Sequence, residues 1–176
     1  MEFQHELVIP DEGLPFKFFL FEGSQGNYVR EKHWHTSIEI FAVMEGSLTF
    51  YLNDEKHPLK AGELMIINSN EVHSIDSPEE NHTAVLQIPL KQFEDYFTAH
   101  RFIRFAANEQ ETDSQLWRLI REMYKLYGKR GTGYEFKIRS FYYDVLYLLV
   151  NHYRLDEAGE QEAVSYTHLR AHETDQ

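Results

Sequence analysis

The apolar residues of this chain change their period partway along, and that change does most to limit what it can fold into. Up to Pro89 they recur at every second position. Ser47 to Leu52 puts Leu48, Phe50 and Leu52 on one face, and Thr83 to Ile88 puts Ala84, Leu86 and Ile88 in step. Side chains two apart share a face of an extended strand, so this alternation predicts half-buried β-strands. Phe16 to Phe21 and Leu64 to Ile67 read as further short strands. Gly23, Gly26, Asn53-Asp54 and Ala61-Gly62 separate these runs with turn residues at intervals of about 8–12 positions, which fits a barrel or sandwich.

Beyond Pro89 the spacing becomes helical. Leu90 to Phe97 reads as one or two turns with Phe93, Tyr96 and Phe97 on one side. Asn108 to Asp113 is a polar linker, and Thr112 with Gln115 fits a capping box at a helix start. Leu116, Leu119, Ile120, Met123, Tyr124 and Tyr127 follow at 3.6-residue spacing until Gly128, Gly131 and Gly133 break the helix. A second helix, Gly133 to Tyr153, carries Ile138, Phe141, Val145, Leu148, Leu149 and His152 on one stripe, which Tyr142, Leu146 and Tyr153 widen. That stripe exceeds what one partner helix covers. It is expected either to pack within the monomer or to form part of a homodimer interface. The fold class is therefore mainly β with an α appendage.

Composition removes several kinds of chemistry. The chain has no cysteine, which excludes disulfides, thiolate zinc sites and cysteine nucleophiles. The N-terminus lacks the basic flank and apolar run of a secretory signal, and no apolar stretch reaches the roughly 20 residues of a membrane span. A soluble cytoplasmic protein is expected. Residues 1–100 carry six Lys and Arg against seventeen Asp and Glu, a net of −11 within a total of −12. Such a surface repels phosphate, so this chain alone is not expected to bind DNA.

The residues that carry chemistry are His33-Trp34-His35, Glu39 and His73. His33 and His35 share a strand face, and Glu39 keeps their parity if the chain stays extended, together with Phe41 and Val43, which marks this face as the inner one. A carboxylate and imidazoles directed inward need partners, because unpaired polar groups are costly to bury. A metal ion, a polar ligand, water or one another would serve. Three imidazoles and one carboxylate make a first shell for zinc, nickel, manganese or iron. Trp34 has the opposite parity and is expected on the outer face. His5, His57, His82, His100 and His152 show no ligand spacing and read as surface or boundary residues. Lys125, Lys129, Arg130, Lys137 and Arg139 read as a solvated face around the hairpin turn.

These residues resemble the two cupin motifs. His33, His35, Glu39 and Gly46 match the first, with Gly26 nearest to its leading glycine; Gly62 and His73 match the second. The second motif departs at Asn68-Ser69-Asn70 and at Ser77, where proline, glycine and asparagine are usual. Ile38-Glu39-Ile40, Met44 to Leu48, Leu59 to Leu64 and Ile67 to His73 further resemble the sensor domain of AraC-type transcriptional regulators, over roughly residues 12–155. The resemblance implies a cupin-type jelly-roll barrel over residues 16–107, an antiparallel helical hairpin over 108–158, and an N-terminal arm over 1–15 able to cross the pocket. It also implies a small-molecule effector bound by His33, His35, Glu39, Phe41 and His73, with His33, His35, Glu39 and His73 in the positions of metal ligands. Dimerisation would run through the second helix, and DNA would be bound only through a helix-turn-helix domain absent from this chain.

Two rival functions stay open on the same residues: a stand-alone metal-dependent cupin enzyme, such as a dioxygenase or isomerase, and a dimerisation domain with a vestigial pocket. The last residues, 164–176, have no cap, period or turn logic. Val164 to Thr174 resemble a translated sequencing adapter, which implies a non-native tail and a native sequence that departs after about Ala163.

Overall fold

The computed structural model describes residues 3–23, 28–99, 101–107 and 111–155. Gly26, His100, residues 108–110 of the linker, the end of the hairpin and the 164–176 tail lie outside the described residues.

Eight strands form a curled, barrel-like sheet: β1 (Gln4–His5), β2 (Lys17–Gly23), β3 (Tyr28–Trp34), β4 (Ile38–Leu52), β5 (Glu55–Lys60), β6 (Leu64–Ile67), β7 (His73–Ser77) and β8 (Asn81–Ile88). The order is β1-β3-β7-β4-β8-β2, with β5 and β6 also paired to β4. The long strand β4 organises everything else. Its first half pairs with β6 and β8, and its second half with β5 and β7. Between the halves its register against β8 shifts at Val43/Glu45. Gly46 turns the strand there at φ 74°, and an added Cβ would stand 2.1 Å from the Glu80 carbonyl oxygen, so only glycine fits.

Alternation along β4 separates two cores. Ile38, Ile40 and Ala42 face outward with Leu64, Ile66, Ala84, Leu86 and Ile88, and two helices cover them. Phe41 and Val43 face inward with Phe21, Leu48, Phe50, Met65, Ile67 and Val85. Both faces of Ile38 to Val43 are therefore buried, which explains an unbroken apolar run interrupted only by Glu39. The inward parity expected for Phe41 and Val43 holds.

The helices are α1 (Gln115–Lys129) and α2 (Tyr134–Leu148), the latter continued by a π-helical turn over Leu149–Tyr153. They pack on each other and on the outer face of the sheet. Trp117 donates its indole N–H to the Val43 carbonyl at 3.0 Å and ties α1 to β4. Three local expectations need correction. The cap of α1 is Ser114, which accepts from the Trp117 backbone N–H, because Asp113 at φ 55° cannot be helical and so Thr112 cannot open the helix. Gly128 does not break α1; the helix ends where Arg130 turns left-handed at φ 43°. In the 3-10 turn Leu90–Tyr96 only Phe93 is buried, and Tyr96 is exposed. The result is mainly β, a cupin-type half-barrel followed by a helical hairpin. No described helix is long and apolar enough to cross a membrane.

Candidate functional site

The site begins with strand pairing. His33 on β3 lies directly opposite His73 on β7, so their rings meet with centroids 4.2 Å apart. His35 follows two residues later on the same face, 5.0 Å from the His73 ring. Glu39 enters from the inner face of β4, opposite Gln87 on β8. All four predicted residues are buried, each with 5% or less of its surface exposed. The structure thus brings together what the motif spacing predicted.

Each imidazole is oriented from behind. The Nδ1–H of His33 donates to the Glu31 carbonyl at 2.9 Å, that of His35 to the Ser37 carbonyl at 3.0 Å, and that of His73 to the Glu71 carbonyl at 2.9 Å. A carbonyl can only accept, so Nδ1 carries the proton in all three rings, and each Nε2 is the atom left to act in the site. His35 Nε2 donates to Glu39 Oε2 at 2.8 Å. His73 Nε2 stands 3.2 Å from the same oxygen, within ion-pair range but off the hydrogen-bonding direction, and is left without a hydrogen bond. Gln87 donates to the other oxygen, Glu39 Oε1, at 2.7 Å.

These contacts set the protonation states. Burial, the largest single influence on Glu39, opposes its ionisation, yet the contacts from His35 and His73 outweigh it and hold the carboxyl well below the usual range. Burial likewise works against a charged His35, but the hydrogen bond to Glu39, the Glu39 charge and the Ser37 carbonyl raise its pKa above the ordinary 6.5. His33 goes the other way. Burial, then the neighbouring His73 and Arg30, lower it to about 4, so it is neutral near pH 7.

One ligating atom from each of His33, His35 and His73 lies within 4.8 Å of the other two. Three rings with protonated Nδ1 atoms, an orphaned His73 Nε2 and an ionised Glu39 alongside form a donor set that fits a divalent metal ion. His35 and Glu39 would exchange their mutual hydrogen bond for the ion.

A cavity of about 60 Å³ opens beside this cluster. Glu39, His33 and the predicted Phe41 line it, together with Phe19, Phe21 and Ile75, whereas His35 and His73 do not. At its mouth stand two residues that sequence reasoning missed, Glu6 and Arg30. Strand β1 pairs in parallel with β3, which carries the arm alongside the site. There Glu6 reaches Arg30 at 2.8 Å and His33 Nε2 at 3.4 Å. A wider groove of about 490 Å³ continues outward between Gln4–Leu7 and Val29–Glu31, with His33 on its wall.

The remaining expectations sort by place. Trp34 lies on the outer face, half-buried, with the His5 ring 4.3 Å away. His57 and His82 pair with Glu55 and Glu45 away from the site, and His152 is exposed. Asn70 takes the left-handed turn at φ 65° that the departure from the second motif required. Asn68 exchanges two hydrogen bonds with the Phe105 backbone, and Ser77 bonds Asn81.

The fold is a cupin-type half-barrel with imidazoles and a carboxylate gathered on its inner wall. The chain belongs to the AraC-like ligand binding domain family, whose profile matches residues 15–146. No curated protein matches it. Solved structures similar to it include a cupin-2 domain containing protein from Shewanella frigidimarina, 28% identical over 46% of this chain and 76% of that one, with a TM-score of 0.38. A cupin superfamily protein from Desulfitobacterium hafniense is 10% identical over 47% of this chain and 74% of that one, TM-score 0.42. A variant of Bacillus subtilis oxalate decarboxylase is 23% identical over 41% of this chain and 20% of that one, TM-score 0.38.

Proposed function

We propose that this chain is the ligand-sensing domain of an AraC-type transcription regulator in the cytoplasm. It binds a small effector beside the His33, His35, Glu39 and His73 cluster and, as a homodimer, controls a DNA-binding domain. The observation that carries this reading is the arm. Glu6 lines the mouth of the cavity beside His33 and Arg30, so an occupant of that cavity would sit directly against the arm. Binding then shifts the balance between arrangements of arm, barrel and hairpin, which is what a sensor requires. On this reading the domain binds its ligand without transforming it.

His33, His35, Glu39 and His73 would hold a divalent ion, and such an ion would offer a ligand oxygen a Lewis-acidic partner. The chain's own residues do the rest. His33 and Phe41 shape the cavity, Glu39 orients His35, and the three backbone carbonyls keep each Nε2 turned inward.

A calorimetric titration of the purified chain against sugars, phenolics and amino-acid derivatives tests the sensing role. At least one class is expected to bind stoichiometrically and raise the melting temperature, and His33→Ala is expected to weaken that binding. No binding by any class would remove the reading. The metal-compatible cluster favours one alternative, a metal-dependent cupin enzyme such as a dioxygenase or isomerase. Stoichiometric iron or manganese in protein purified without chelators, with turnover lost on His73→Ala, would support it.

A further inference from the structure

Arg30 and His33 are three residues apart, and in a regular strand they would point to opposite faces. A register irregularity between them changes this. Arg30 lies opposite Ile75 and His33 opposite His73 on β7, so three steps along β3 match two along β7. Ile75 belongs to the inner core, and the extra residue brings Arg30 to the same inward side as His33. A guanidinium and an imidazole nitrogen therefore converge on one spot at the cavity mouth.

The group found at that spot is a carboxylate. Glu6 Oε1 accepts from the Arg30 guanidinium at 2.8 Å, and Glu6 Oε2 lies 3.4 Å from His33 Nε2. The guanidinium is the donor of the pair; His33 Nε2, whose ring proton sits on Nδ1, borders the second oxygen without donating to it. Glu6 belongs to the arm, which pairs with the sheet beside the site through the two residues of β1 and the bond from the Glu6 N–H to the Trp34 carbonyl. The carboxylate is held by a short, local attachment.

Accepting the sensing role above, we propose that Glu6 stands in for the carboxylate of the natural effector, and that the effector is a short-chain monocarboxylate. Its carboxylate takes the place of Glu6 on Arg30, and its apolar body passes His33 into the cavity among Phe19, Phe21, Phe41 and Ile75. Arg suits this task because its planar fork matches the two oxygens of a carboxylate. The cavity of about 60 Å³ matches the liquid volume of roughly two waters, which sets a body of about two carbons. Glu39 also faces this cavity and would repel an anion, but its charge is already engaged by the hydrogen bond from His35 at 2.8 Å. An entering carboxylate displaces Glu6, so effector binding and arm release become one event.

The test uses the full chain, freed of metal with a chelator, titrated calorimetrically with acetate, propionate and butyrate and with the matching amides. Carboxylates are expected to bind and amides are not. Glu6→Gln removes the competitor, and a seat that Glu6 fills about nine-tenths of the time gains about tenfold in affinity when it is vacated. Arg30→Gln is expected to abolish binding with or without Glu6→Gln. A gain of affinity cannot arise from misfolding, so Glu6→Gln stays informative even if Arg30→Gln unfolds. Amides binding as well as carboxylates, or carboxylate affinity unchanged by Glu6→Gln, overturns the inference. Binding of neutral sugars or phenolics without binding of carboxylates overturns it and leaves the sensing role standing. Silence from every class in both proteins removes the two together.

Discussion

Glu39 is held by three partners that arrive from three strands or loops, and its removal tests what they contribute. Gln87 Nε2 and His35 Nε2 both donate to it, and both are buried. Glu39→Ala leaves these two donors without an acceptor at about 1–2 kcal/mol each, so a loss of about 2–4 kcal/mol is expected in urea unfolding at pH 7. A loss under about 0.5 kcal/mol, the range of surface substitutions, would mean that water replaces the carboxylate without cost. The imidazoles make stability depend on pH with opposite signs. His33 has its folded pKa lowered from 6.5 to about 4, so the unfolded chain takes up the proton first. Its contribution is complete above pH 6.5 and is lost as pH falls towards 4, by about 3 kcal/mol. His35 is raised, so its contribution is complete below pH 6.5 and declines as pH rises towards its folded value. Metal-free protein is therefore expected to be most stable near pH 6.5, and His33→Asn to flatten the acid limb in melting curves. Of the four predicted site residues, His33, His35 and Glu39 were legible from their close spacing and His73 from the second motif's spacing, neither of which needs knowledge of strand neighbours. Gln87 and Glu6 were not, since each meets the site only through a pairing between distant segments.

At the scale of elements, the sequence speaks clearly where one face is apolar and falls silent where strands are short and polar. Alternation exposed Ser47–Leu52 and Thr83–Ile88. It also hid a fact in plain view, because placing Ala84, Leu86 and Ile88 on one face puts Gln87 on the other, against Glu39. Strand β5, Glu-Lys-His-Pro-Leu-Lys, buries only Leu59 and carries no such signal. The irregularity in β3 reverses parity without any glycine or proline to mark it, so nothing in the sequence places Arg30 on the inner side. The start of α1 shows a different ambiguity. Thr112 and Ser114 are both competent caps, and the choice falls to the left-handed Asp113 between them. Ser114→Ala is expected to cost about 1 kcal/mol. Thr112→Ala should stay within about 0.5 kcal/mol, since its side chain is exposed and caps nothing. Paired thermal melts decide between the two positions, and the reverse ranking would restore Thr112 as the cap.

The molecule as a whole leaves one surface unaccounted for. The inner residues of α2, Ile138, Tyr142, Val145 and Leu148, complete the core between hairpin and sheet, so most of the wide apolar stripe is spent within the monomer. Phe136, Tyr143 and Tyr147 are not, with 70%, 56% and 67% of their surface exposed. Spaced by seven and then four residues, they form a second stripe along the outer side of α2, roughly 16 Å from end to end. Aromatic side chains aligned this way on a solvent face are unusual on a monomer and typical of the anchors of an interface. A two-fold pairing of α2 with its copy would bury both stripes against each other, which is the dimer proposed for this domain. Phe136→Glu with Tyr147→Glu places like charges on both sides of that contact while touching no buried residue. Sedimentation is expected to find the unaltered chain dimeric at micromolar concentration and the double variant monomeric. The variant's melting temperature, measured where both proteins are monomeric, should be unchanged, because the intramolecular core is intact. A monomeric parent would remove the dimer. A dimer that survives the double substitution would show that α2 faces water in the assembled protein as it does here.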